Sequence, residues 1–189
     1  DYLRGKVGIC TEFVNIAGKH AEIVGNCLLN TVKNRERQLI VVQAAYDGIS
    51  TYQCGVGTVL LNSLDVIQEL SEDFKGIVNI KNYLITPNYR HLTSFSEGLY
   101  LKNKTICSKM QGDLFEVCSG EEGNFQNEFG TPGNWRSATN EAARLCVCIA
   151  ENNQCADVLV IAHDTAFAQL PLVLSKEKKK NINSVWVPH

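Results

Sequence analysis

The sequence predicts an α/β fold, a mostly parallel β-sheet with helices on both faces. Two observations carry this. Apolar runs such as Leu39 to Ala45 and Val158 to Ile161 are continuous rather than alternating, as in strands buried on both faces. Between such runs lie longer segments with a 3.6-residue apolar stripe, so strand and helix alternate along the chain. With 189 residues, 44% of them apolar and 20% charged, the chain can bury a proper core.

Taken in order, Lys6 to Phe13 reads as a short strand. Val14 to Val32 reads as a helix, striped by Ile16, Ala17, Ala21, Ile23, Val24, Cys27, Leu28 and Val32 and closed by the charged Lys33 to Arg37. Leu39 to Ala45 is a buried strand. After a polar loop, Gly55-Val-Gly-Thr58 opens a helix over Val59 to Leu70, with Leu60, Leu61, Leu64, Ile67 and Leu70 on one face. Gly76 to Thr86 is the next strand, stopped by Pro87. Tyr89 to Met110 permits a helix that Gly98 weakens. Asp113 to Cys118 reads as a third strand of this core. Ser119 to Gly133 is a long polar, glycine-rich loop of the kind that carries function. A helix then starts near Thr131-Pro132 or Asn134 and runs to Ile149, with Trp135, Ala138, Ala142, Leu145 and Cys146 on its stripe. Ala156 to Ala162 is a buried strand ending at His163-Asp164-Thr165. Ala166 to Leu174 is a short helix and Ser184 to Val187 a last strand.

The net charge of −2 gives no support for nucleic-acid or membrane-surface binding. The basic run Lys176 to Lys180, with Glu177 inside it, reads as a solvated loop. No apolar stretch has the length of a membrane span, and the first residues lack the charged and apolar regions expected of a signal peptide. Of eight cysteines, Cys10, Cys27, Cys146 and Cys148 fall in apolar periodic segments as small hydrophobes. Cys146-Val-Cys148 has no second close pair to give zinc-like spacing, and Cys155 stands alone. Reduced, mostly buried thiols imply a cytoplasmic protein with no disulfide framework and no metal. A Cys54/His163 nucleophile pair is the remaining thiol chemistry, without a local signature to support it.

In open α/β sheets ligands bind beyond the carboxyl ends of the strands. Four segments fall there: Tyr46-Asp47-Gly48, Gly55-Val-Gly-Thr58, Thr86-Pro87-Asn88-Tyr89 and His163-Asp164-Thr165. A glycine turn opening a helix lets backbone N–H groups approach an anion, with the helix N-terminus adding partial positive charge. Gly55 and Gly57 are half of a dinucleotide fingerprint, with Leu60 where a third glycine would stand; a glycine pair of this kind is more often a plain tight turn. His163 can reach a ligand hydroxyl or phosphate, or satisfy a buried carbonyl. Asp164 is a ligand contact or a helix N-cap. Trp135 can stack on a sugar or a base, or fill the core, where its place on the apolar stripe puts it. Tyr46 and Asp47 bind a hydroxylated ligand or form a turn with Gly48. His20 and His91 lie in uninformative polar stretches.

In this order, the glycine loop opening a helix, the strand ending in Thr86-Pro87 and the late strand ending in His163-Asp164 resemble one half of a retaining GT-B glycosyltransferase. The likeness is to the N-terminal Rossmann-like domain of the glycogen-synthase and sucrose-phosphate-synthase-like clan, over roughly residues 38–189. It implies that Gly55, Val56, Gly57 and Thr58 lie by the donor phosphates and the acceptor, although Cys54 stands where a further glycine is usual. It implies that His163 and Asp164 serve the donor sugar, and that Tyr46, Trp135 and the 119–133 loop shape the acceptor pocket. Val185-Trp-Val-Pro-His189 matches the strand leading to a second domain. Residues 1–37 would be an added strand and helix, and the chain a single domain that lacks the partner half supplying most nucleotide contacts. The expected activity is carbohydrate metabolism by transfer from a nucleotide sugar to a hydroxylated acceptor, without a cofactor and with little turnover from this piece alone. The alternatives are a nicotinamide-binding domain of an oxidoreductase and a non-catalytic α/β binding or regulatory domain. The nicotinamide alternative requires a carboxylate after the strand that ends Leu84-Ile-Thr-Pro87, where none stands.

Overall fold

The computed structural model describes residues 22–27, 31, 38–46, 48–51, 55–90, 95–117 and 132–188. Strand β1 (Gln38–Ala44) is central and pairs in parallel with a strand on each side. Every residue of β1 after Gln38 is buried, which explains its unbroken apolar run. Helix α1 precedes it, described at residues 22–27 and 31. Then come α2 (Gly55–Asp73), β2 (Asn79–Pro87), α3 (Glu97–Lys109), β3 (Leu114–Val117), α4 (Pro132–Asn152) and β4 (Asp157–His163). A 3₁₀ turn (Thr165–Phe167), α5 (Leu170–Lys176) and β5 (Ile182–Val187) complete the described chain.

Among the described residues the sheet has five strands, all parallel, in the order β3-β2-β1-β4-β5. This is a Rossmann-like α/β fold. Alternate residues of the central strands face opposite layers. Ile40, Val42 and Ala44 of β1 join Val158, Val160 and Ala162 of β4 in packing against α4 and α5, through Ala142, Cys146, Leu170 and Leu174. On the other face, Leu39 and Val41 join Leu159, Ile161 and Ile80 under α1 and α2, through Val24 and Ile67. Leu60, Leu64, Leu84, Tyr100 and Cys107 extend that layer beneath α2 and α3. Each such aliphatic side chain contributes about 1.5–3 kcal/mol when fully buried.

Polar contacts fix the edges. The Thr31 hydroxyl lies 2.8 Å from Asp157, tying α1 to the start of β4. Ser96 caps α3, its hydroxyl accepting from the Leu99 N–H. At Gly112, entering β3, a Cβ would fall 1.8 Å from the Asn82 carbonyl oxygen, so only glycine lets the two backbones approach.

Several element boundaries differ from the sequence expectation. Gly55 to Thr58 form the first turn of α2 rather than a loop before it. Tyr89 to Met110 resolves into a capped helix, α3, that begins only at Glu97. The helix expected over Ala166 to Leu174 is a 3₁₀ turn followed by α5, because Pro171 lacks an N–H and sits at the helix start. The last strand begins at Ile182 instead of Ser184. Cys148 is exposed on α4 rather than core. The expected strand from Lys6 to Phe13 lies outside the described residues, as do residues 119–131 of the glycine-rich loop. Among the described residues no helix is long and apolar enough to cross a membrane.

The five described cysteines are free thiols. Burial pushes the Cys107 and Cys146 thiols up to about 12, from an ordinary 9.0. Burial, helped by the Asp157 carboxylate, raises Cys27 to about 11. These groups hold their protons more tightly folded than unfolded. Their contribution is therefore fully present below about pH 9 and is lost as pH rises toward the folded values. Stability in urea should fall on raising the pH above about 9, and fall less steeply in Cys146→Ala; a flat profile in the parent chain would contradict this. Near neutral pH, peptide mapping after brief alkylation should find Cys148 and Cys155 modified and Cys107 and Cys146 protected.

Candidate functional site

The strand order reverses direction at β1: the chain moves outward to β2 and β3, then returns to the far side of β1 for β4 and β5. Beyond the carboxyl ends of β1 and β4 the connections diverge, and this is the usual ligand position in such sheets. Helix α2 runs back from this edge, so its N-terminus at Gly55 opens there. The first-turn N–H groups of a helix have no intrahelical acceptor and favour an anion. The backbone of Gly55, Val56, Gly57 and Thr58 is helical; their side chains lie outside the described residues. Asp47, Cys54, His20, His91 and His189 lie outside them as well.

The segment after β1 is held in place from α3. Gly48 takes φ 83°, a left-handed conformation that suits glycine. Its N–H donates to Thr51 Oγ1 at 3.3 Å. The Ser96 N–H donates to the Ser50 carbonyl at 2.8 Å, and Asn103 Nδ2 donates to the Ile49 carbonyl at 2.9 Å. Thr51 also bridges Phe95 in antiparallel fashion.

Tyr46 and Trp135 are brought together. Their ring centroids are 6.4 Å apart, edge to face, and Tyr89 meets Tyr46 at 5.4 Å in the same manner. Tyr46 and Tyr89 are buried and Trp135, in the first turn of α4, is half-buried. Three aromatic rings thus wall the edge between β1, β2 and α4. Arg90 follows, its Nε and Nη2 each donating to Glu116 Oε2 at 3.2 Å. Its guanidinium also sits 4.6 Å above the Tyr100 ring and pairs with Glu97 at 3.5 Å. The hydrogen bond to Glu116 raises the Arg90 pKa above its already high ordinary value.

His163 is the last residue of β4 and is fully buried. Its Nε2 lies 3.0 Å from Gln43 Oε1, which also accepts from the Ser63 hydroxyl at 2.9 Å. Gln43 and Ser63 are buried as well. The imidazole is therefore joined to the central strand and to α2. Asp164 follows with φ 60° and ψ 176°, a region nearly confined to glycine. Three bonds hold it there: its N–H donates to the Val187 carbonyl, its carbonyl accepts from Trp186 Nε1 at 3.0 Å, and its carboxylate accepts from the Thr165 N–H. Asp164 is thus the cap of the 3₁₀ turn.

At the end of β2 stand Thr86, fully buried, then Pro87 and Asn88, with no carboxylate. Among the described residues no group of three His, Cys, Asp or Glu could hold a metal ion. Sequence reasoning placed Tyr89 at the carboxyl edge within Thr86 to Tyr89 but passed over Gln43, Ser63 and Arg90. Gln43 carried a signal, being polar inside an apolar run; Ser63 and Arg90 acquire their partners only through the fold.

No protein-family model matches the sequence, and no curated protein matches it. Among solved structures, a ferredoxin-NADP+ reductase from Plasmodium falciparum aligns with a TM-score of 0.45 and 10% identity. The alignment covers 84% of this chain and 56% of that one, so the chain spans little more than half of the reductase's length. A likeness this distant has no bearing on activity.

The conformation of Asp164 costs about 1–3 kcal/mol for a residue with a Cβ. Asp164→Gly should therefore be more stable than Asp164→Ala by about 1–3 kcal/mol in denaturant titrations, both having lost the carboxylate cap. Equal stabilities would show that the backbone relaxes there without strain.

Proposed function

We infer that the chain is the acceptor-side domain of a retaining GT-B glycosyltransferase, moving a sugar from a nucleotide-sugar donor to a hydroxylated acceptor. The observation that carries this inference is the convergence at one switch point of the α2 N-terminus, the His163–Asp164 strand end and the Tyr46–Tyr89–Trp135 aromatic wall. In this scheme the donor diphosphate lies over Gly55 to Thr58, whose amides stabilise the negative charge that grows on the leaving group. His163 orients the donor sugar by a hydrogen bond rather than by nucleophilic attack. Because the ring is fully buried, that contact requires the covering segments to part as the donor seats. Asp164 fixes the turn that presents it. Tyr46 and Trp135 offer ring faces and edges to the acceptor's C–H surfaces. A partner domain completes the nucleotide site, so this chain alone binds donor weakly.

A nicotinamide dinucleotide fits less well. The Rossmann dinucleotide site holds a ribose with an acid at the end of the strand beside β1, and Thr86-Pro87-Asn88 stand there.

Thermal unfolding in millimolar UDP-, GDP- and ADP-glucose, against NAD+ and NADP+, separates the two. One of the nucleotide sugars should raise Tm in proportion to ligand concentration, and the nicotinamides should not. Stabilisation by NAD+ alone would replace the glycosyltransferase assignment with a dehydrogenase-type one. No response to any nucleotide, with a protein partner captured instead, would favour a regulatory domain. In a complete enzyme carrying this domain, His163→Ala should lower kcat by about 10²-fold with a native circular dichroism spectrum. Near-normal turnover would remove His163 from the mechanism.

A further inference from the structure

Arg90 makes more contacts than an exposed surface charge needs. It follows the carboxyl end of β2, where Asn88 fixes the chain. The Asn88 N–H donates to the Val117 carbonyl at 3.0 Å, and Asn88 Oδ1 accepts from the Arg90 N–H at 3.2 Å. From there the guanidinium reaches two further elements. Nε and Nη2 both donate to Glu116 of β3, and Nη1 pairs with Glu97, the first residue of α3. Its Cζ also lies 4.6 Å from the Tyr100 ring centroid and 5.5 Å from that of Phe95. An isolated ion pair at a surface contributes little. Here, however, the Glu116 side chain is only 19% exposed, and its Oε1 is buried with no hydrogen-bond partner among the described residues. Removing Arg90 would leave that carboxylate largely buried without its counter-charge.

Beyond this clamp lies the segment that leads from β1 towards α2. Phe95, in contact with the guanidinium, bridges Thr51 in antiparallel fashion. The next residue, Ser96, donates its N–H to the Ser50 carbonyl, and Asn103 of the same helix donates to the Ile49 carbonyl. Thr51 Oγ1 in turn accepts from the Gly48 N–H. We propose that Arg90 is a positioning residue: by clamping the start of α3 onto the ends of β2 and β3, it holds residues 48–51, and so the approach to the α2 N-terminus, in one geometry. The planar fork and the two aromatic rings account for arginine rather than lysine. The Arg90 and Glu97 side chains are 45% and 56% exposed, so salt reaches that arm of the clamp more readily than the Glu116 arm. Rising ionic strength therefore loosens the segment. That the segment serves a phosphate-bearing ligand rests on the function proposed above; that Arg90 holds it does not.

Amide hydrogen exchange of the whole chain without ligand, followed residue by residue by NMR, tests this directly. The Ser96 N–H spans the joint between α3 and the segment, and the Gly48 N–H closes the turn that the joint holds. In Arg90→Gln both should exchange about tenfold faster than in the parent, while the amides of β1 and β4 keep their parent rates. Raising NaCl from about 0.05 M to about 0.5 M should speed both amides in the parent and leave Arg90→Gln unmoved. Arg90→Lys keeps the charge but loses the fork, and should fold and give intermediate rates; it decides the matter where Arg90→Gln does not fold. Parent rates at Gly48 and Ser96 in either variant would overturn the proposal. An Arg90→Lys chain that fails to fold, or acceleration that includes β1 and β4 equally, would overturn it too, because Arg90 would then support the whole fold rather than this segment. Exchange decides the role of Arg90, and nucleotide-sugar thermal shifts decide the function, so the two failures are separable.

Discussion

The double pairing of β1 is the constraint on which the rest of this structure depends. One strand hydrogen-bonds in parallel with β2 and with β4, and its side chains enter the helical layers on both faces. Parallel neighbours must be joined by crossover connections, which here are helices, so fixing β1 at the centre places α2 and α4 on opposite faces. It also determines where the chain reverses its direction of travel across the sheet. The divergence of the connections at the carboxyl edge is a geometric consequence of that reversal.

What the site residues add is chemistry along an edge already built. The helix dipole of α2 gives a diffuse positive end, which distinguishes an anion from a neutral group but not one nucleotide from another. In the function proposed above, discrimination falls to directional groups, and each of these is held by contacts from other elements. The buried Gln43–Ser63–His163 contacts fix one ring nitrogen, and β5 fixes the strained turn at Asp164 through Trp186 and Val187. Both arrangements carry an energetic penalty, an orphan amide in one and an unfavourable backbone conformation in the other. Penalties of this kind persist where the surrounding core over-determines the geometry, and the fully buried β1 and β4 supply such a core.

Much of this was legible from the sequence because parallel strands buried on both faces write themselves as unbroken apolar runs. Val158 to Ile161 and Leu39 to Ala45 could be read as buried strands of one mostly parallel sheet, but not as the neighbours they are. The placement of His163 at a carboxyl edge followed from its position after such a run. Its burial did not, since nothing local to His163 announces Gln43, 120 residues earlier. The α3 region was ambiguous because Gly98 lowers helix propensity, and the Ser96 cap with its tertiary packing overrides it. Gly55 to Thr58 looked like a loop because glycine is a poor helix former. At a first turn that penalty is small, and the residues join the helix. Cys148 was misassigned because the α4 stripe is broad and its margin faces solvent.

We propose that this protein binds its ligand at the switch point between β1 and β4. Hydrogen–deuterium exchange of the whole chain, with and without saturating UDP-glucose, tests that claim with spatial resolution. Slowed exchange should appear together in the first turns of α2, from Gly55, and around His163 to Phe167, with the amino edge from Lys75 to Ile80 unchanged. Protection confined to that amino edge, or appearing at the switch point with NAD+ but not with any nucleotide sugar, would contradict the account.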